Sequence, residues 1–83
     1  MKILIIEDEI GIANFLKQGL EEEGYDVLTA SNGQYGLDLA LTVEVDLILL
    51  DWMLPKITGI EVCKIIRKSN TTVPIPFKKQ LKV

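Results

Sequence analysis

Two segments of the chain are apolar without interruption, and both stop at acids. Lys2-Ile3-Leu4-Ile5-Ile6 runs into Glu7-Asp8, and Leu47-Ile48-Leu49-Leu50 runs from Asp46 into Asp51. A strand buried on both faces reads this way, because neither side of it meets water. Elsewhere the pattern changes period. From Ile12 the apolar residues fall at 12, 15, 16 and 20, the 3.6-residue spacing of an amphipathic helix. Gly24, after the acidic run Glu21-Glu22-Glu23, predicts the end of that helix at its C′ position. Asp26 to Ala30, with Val27 and Thr29, reads as a short strand. Ser31 and Gln34 have the spacing of a capping box and predict a second helix through Leu37, Ala40 and Leu41. Thr58 and Glu61 repeat that signal for a third helix, with Val62, Cys63, Ile65 and Ile66 as its buried side. Val73-Pro74-Ile75 starts a strand-like stretch that Pro76 interrupts. Strands and helices that alternate at this spacing predict a parallel sheet with helices on its faces.

Composition narrows the function classes. At 83 residues, with 48% hydrophobic and 25% charged, the chain has the make-up of one globular domain. The net charge of −3 argues against a nucleic-acid surface, which needs a basic face. The bases are also unevenly placed, with Lys64, Arg67, Lys68, Lys78, Lys79 and Lys82 all towards the end. No apolar run approaches the roughly 20 residues of a membrane span. A single cysteine, Cys63, allows no internal disulfide and reads as helix packing. The expected location is a reducing cytoplasm.

The chemistry sits where the two apolar strands end. In a parallel α/β sheet all strand C-termini lie on one edge, and ligands bind there. If the first and third strands are neighbours, about 4.8 Å apart, Glu7, Asp8 and Asp51 converge. An acid at a strand end often does no more than cap the next helix. Three of them at the ends of the two most apolar strands point further. Like charges so close repel one another, and a hard divalent cation with oxygen ligands relieves the crowding. Mg²⁺ suits such a set, since it takes one or two carboxylates and keeps several waters. A carboxylate beside a metal can also act as a nucleophile toward phosphorus.

Lys2-Ile3-Leu4-Ile5-Ile6-Glu7-Asp8-Glu9, Asp46-Leu47-Ile48-Leu49-Leu50-Asp51-Trp52-Met53-Leu54-Pro55 and Thr58-Gly59-Ile60-Glu61-Val62 together resemble the receiver domain of two-component response regulators. The likeness is greatest to the subfamily that carries a winged-helix DNA-binding domain. It spans residue 2 to about residue 75. By that resemblance, Asp51 is the phosphoacceptor, and Asp8 and Asp51 ligate Mg²⁺ directly. Glu7 acts through a metal-bound water, and the Met53 backbone carbonyl is a third protein ligand. Pro55 and Gly59 shape the turn into the third helix. The implied phosphoryl donor is a phosphohistidine on a sensor histidine kinase. The implied fold is flavodoxin-like, a five-stranded parallel sheet of order 2-1-3-4-5. The protein is expected to accept a phosphoryl group and to turn over no substrate.

The resemblance stops at the strand-like stretch. The family's Ser or Thr that bonds the phosphoryl group, its inward-rotating aromatic and its fifth-strand lysine have no counterparts in Pro76 to Val83. The expected division is a partial receiver domain over 1–75 and a basic tail over 76–83. On this reading strands 1–4 and helices 1–3 are present, and the fifth strand and last two helices are absent. Phosphorylation should then be slow or absent. An uncovered sheet edge predicts a homo-oligomer, by edge pairing or exchanged elements.

Three other readings fit less well. A haloacid-dehalogenase-type phosphatase resembles the Asp51 region but needs a second Asp where Met53 stands. A nucleotide-binding Rossmann-type domain needs a glycine-rich turn, and Glu7-Asp8-Glu9-Ile10-Gly11 has one glycine. A switch-defective structural or dimerising fragment remains as the alternative to signalling. Trp52 is expected to pack at the loop after Asp51.

Overall fold

The computed structural model describes residues 1–51, 53–69 and 72–78. The chain runs β1 (Lys2–Ile6), α1 (Ile10–Glu22), β2 (Asp26–Ala30), α2 (Gly33–Thr42), β3 (Leu47–Asp51), α3 (Gly59–Ser69) and β4 (Phe77–Lys78). All the strand pairings are parallel, in the order β2-β1-β3-β4. The sheet order and the alternation are those expected from the sequence. Trp52 and residues 79–83 of the basic tail lie outside the described residues.

The continuous apolar runs are explained by the two-sided core. Successive side chains of a strand point to opposite faces. Leu4, Ile6, Ile48 and Leu50 therefore meet Leu37 of α2 and Val62 and Ile66 of α3 on one face. Ile3, Ile5 and Val27 pack with Leu16 and Leu20 of α1 on the other. Gly36 brings α2 onto β1, since a Cβ there would lie 2.6 Å from Ile6 Cδ1.

The helix ends show how local chemistry sets the boundaries. Gly24, at φ +92°, follows Glu23, the last residue of the α1 cap. Its amide donates to the Glu21 carbonyl at 3.0 Å, and that of Tyr25 to Leu20 at 3.2 Å. That pair is a Schellman closure, which needs a residue tolerant of left-handed backbone. The cap of α2 is Asn32 rather than Ser31: Asn32 Oδ1 accepts from the Tyr35 amide at 2.8 Å. Gln34 reaches forward to Asp38 at 3.2 Å instead of closing a box. The helix begins at Gly33, one residue later than Ser31 would start it, which moves the capping position onto Asn32.

Two apolar residues leave the faces assigned to them. Phe15 is 77% exposed, because α1 meets the sheet through Ala13, Leu16 and Leu20 and position 15 turns to the side. Ile65 is exposed too, and α3 buries Val62 and Ile66 with Cys63 half-buried.

The fourth strand also differs from expectation. The stretch from Pro74 does not break at Pro76. The carbonyls of Pro74 and Pro76 accept from the Ile48 and Leu50 amides at 3.0 and 3.1 Å. Neither proline has an N–H to return, so the ladder along 74–76 is one-sided. Regular pairing starts only at Phe77, opposite Leu50. Arg67 Nη1 donates to the Val73 carbonyl at 2.6 Å and ties α3 to the entry of this strand.

Candidate functional site

Adjacency of β1 and β3 decides where the acids meet. Their last paired residues are Ile6 and Leu50, so Glu7 and Asp51 follow side by side at the same sheet edge. The Glu7 amide still donates to the Ala30 carbonyl at 3.0 Å, which holds this turn against β2. Glu7, Asp8 and Asp51 each place a carboxylate oxygen within 4.8 Å of the others. The structure thus brings together the three acids singled out in the sequence. Two of them are deeply buried, Glu7 at 2% exposure and Asp51 at 1%, whereas Asp8 is exposed.

Backbone amides orient the buried pair. Glu7 Oε2 accepts from the Glu9 amide, and Asp51 Oδ1 from the Met53 amide, both at 3.1 Å. Each carboxylate is thus turned by a donor two residues further along the chain. The second bond also lays the Met53 backbone beside Asp51, while the Met53 side chain is exposed. α1 starts at Ile10, immediately after this cluster, and the partial positive charge of its N-terminus favours anions there.

The donor set is made of hard oxygens. A buried carboxylate is costly unless its charge is offset, and two buried acids plus one exposed acid in so small a volume fit a divalent cation. Carboxylate oxygens without thiol or imidazole select Mg²⁺ or a similar ion over softer metals.

The loop from Asp51 to α3 is shaped by features that the sequence signals do not show. Leu54 is buried as an anchor in the core. Lys56 has φ 69°, and the Ile57 amide donates to the Pro55 carbonyl at 2.7 Å, closing a three-residue turn around it. Thr58 Oγ1 then accepts from the Glu61 amide at 3.2 Å and caps α3, as its spacing to Glu61 predicts. Of the two residues that the resemblance assigned to this turn, Pro55 lies in it and Gly59 is the first residue of α3.

Comparison with known proteins gives one consistent answer. The family described as "Response regulator receiver domain" matches residues 3–78, which takes in β4. The chain is 51% identical over 74 residues to the alkaline phosphatase synthesis transcriptional regulatory protein PhoP of Bacillus subtilis, covering 89% of this chain and 31% of that protein. It therefore spans about a third of the relative's length. Among solved structures, the response regulator TrrA of Thermotoga maritima in complex with Mg(2+)-BeF is 40% identical, with TM-score 0.86. That match covers 89% of this chain and 64% of the other. A second structure, of TrrA in complex with the histidine kinase ThkA, is 39% identical with TM-score 0.86 and covers 92% and 66%. No helix among the described residues is long and apolar enough to cross a membrane.

Proposed function

Because this chain belongs to the response regulator receiver domain family, we propose that it accepts a phosphoryl group on Asp51, with Mg²⁺ held by Asp8, Asp51 and the Met53 carbonyl. The observation that carries this reading is the convergence of Glu7, Asp8 and Asp51 within 4.8 Å. Glu7 would hold a water of the cation's shell. When bound, the cation neutralises charge on the transferring group.

The chain's own residues do the rest. The Met53 amide fixes the plane of the Asp51 carboxylate. An Asp51 oxygen attacks phosphorus, a P–O bond forms, and the P–N bond of the donor phosphohistidine breaks with the electron pair leaving on imidazole. The product is an aspartyl phosphate, made once per chain without turnover of a substrate. A sensor histidine kinase in the cytoplasm is the donor we infer, and the TrrA–ThkA complex supports that kind of partner. TrrA with Mg(2+)-BeF supports the choice of cation.

Prolonged incubation with a small acyl-phosphate donor and Mg²⁺, read by intact mass, should add one phosphoryl group per chain, at the slow rate expected from the sequence. Chelation with EDTA should prevent it. A chain whose mass stays unchanged with donor and Mg²⁺ present would falsify this reading.

Self-association through β4 is the second partner in this proposal. Pro74 and Pro76 direct their carbonyls at β3, and residues of a strand alternate in direction, so Ile75 and Phe77 turn their amides to the outer edge. That edge keeps the donors a further strand needs. Light scattering at micromolar concentration should report a dimer or larger species, and a strictly monomeric solution removes the idea.

A further inference from the structure

The geometry points to Gly33 as a positioning residue for the loop that leaves Asp51, acting through Ile57. This inference rests on the metal-assisted reading of the acidic site and adds the device that holds its loop in place.

Gly33 is the first residue of α2 and is buried. A Cβ at this position would overlap Ile57 Cγ2, and it would stand 3.1 Å from Val62 Cγ2 and 3.6 Å from Ile57 Cβ. The bare backbone of Gly33 is therefore the seat on which the Ile57 side chain rests. Val62 cannot yield, since it is fully buried in the core under α3. Ile57 is half-buried and stands in the loop, so the loop is what a methyl group would displace. The β-branch of Ile57 stiffens its first torsion and limits escape by rotation. A cleft of about 380 Å³ between Asn32, Gly33, Gln34 and Pro55, Lys56, Ile57 leaves room for the turn to move.

The neighbouring turn needs such a seat. Lys56 holds a positive φ that a side-chain-bearing residue adopts only when its surroundings fix it. The ring of Pro55 constrains one side of that turn, and Ile57 on Gly33 constrains the other. The same loop begins at Met53, whose amide orients Asp51. Gly33 thus bears on the Met53 backbone only through this loop, whose Leu54 is anchored in the core between Ile57 and Met53, and without touching the acidic trio.

Two measurements on the 83-residue chain test this, using Gly33→Ala, Ile57→Ala and the double variant, with Val27→Ala as a control from the opposite core face. The first is hydrogen exchange of the backbone amide at position 57 in the metal-free protein, taken relative to its intrinsic rate. It should be faster in Gly33→Ala and in Ile57→Ala than in Val27→Ala at matched stability. The second is Mg²⁺ titration by calorimetry. The dissociation constant should rise on the order of tenfold in both loop variants, as for other groups that support metal ligands indirectly, and stay within twofold in Val27→Ala. The double variant should be no worse than Ile57→Ala alone, because the overlap disappears with the side chain.

An unchanged Ile57 amide, or Mg²⁺ affinity that tracks stability alone, overturns the inference. If Gly33→Ala does not fold, Ile57→Ala and the double variant decide by the same criteria. A parent chain that binds no Mg²⁺ overturns the reading of the site, and the amide exchange still decides whether Gly33 seats the loop.

Discussion

Asp51→Asn should take up no phosphoryl group from an acyl-phosphate donor, under conditions in which the parent chain gains one. The substitution is nearly isosteric, and the Asn carbonyl can still accept from the Met53 amide that Asp51 Oδ1 now engages. The loop and the fold should therefore survive, which circular dichroism would check. What is lost is the anionic nucleophile and one of three charges in the acidic cluster. Two like charges within 4.8 Å of one another repel by roughly 3 kcal/mol or more at an effective dielectric of about 20, and a cation gains from the same crowding. The second expected result follows from linkage. At about 100 times its dissociation constant, Mg²⁺ should stabilise the parent by about 2.7 kcal/mol, and most of that should vanish in Asp51→Asn. Phosphorylation of the variant at another residue would place the acceptor elsewhere.

Leu50→Ala should bring the chain close to unfolding. Leu50 is fully buried in the larger core cluster and pairs with both Ile6 and Phe77. Truncating such a leucine costs about 2–5 kcal/mol through lost transfer energy and the remaining cavity. Domains in this size range bury only about 60–65% of their unfolded surface, and typical stabilities correspond to roughly 4–12 kcal/mol for a chain this long. The urea midpoint should fall by roughly 2 M, taking a slope near 1.5 kcal/mol/M. Leu41→Ala, at a half-exposed position on α2, should change stability by no more than about 0.5 kcal/mol. Equal midpoints for the two variants would contradict the packing described above.

How much of this was legible beforehand depended on whether the signal was local. The strands β1 and β3 stand out because burial on both faces removes polar residues over a whole segment. Their terminal acids stand out for the same reason, as the first polar groups after an apolar run. Gly24 was legible because a left-handed helix end leaves few choices of residue. The α2 cap was harder, since Ser31 and Asn32 are both good caps and only the helix start separates them. Phe15 misled because periodicity gives a stripe, and the sheet decides which part of the stripe it covers. β4 was hidden by the two prolines just before it, Pro74 and Pro76, which remove the donors of a strand without removing its acceptors. The seat of Ile57 on Gly33 has no local signal, because it joins two segments that only the folded chain brings together.

The position of the acids at the ends of neighbouring strands has a mechanical consequence. Glu7 and Asp51 follow directly on the last rung of the β1–β3 ladder, Ile6 opposite Leu50. Crowding of two acids strains that rung, and an ion held by Asp8 and Asp51, with Glu7 reaching it through a water, would rivet it shut. Occupancy of one small site would in this way set how readily the centre of the sheet begins to unzip.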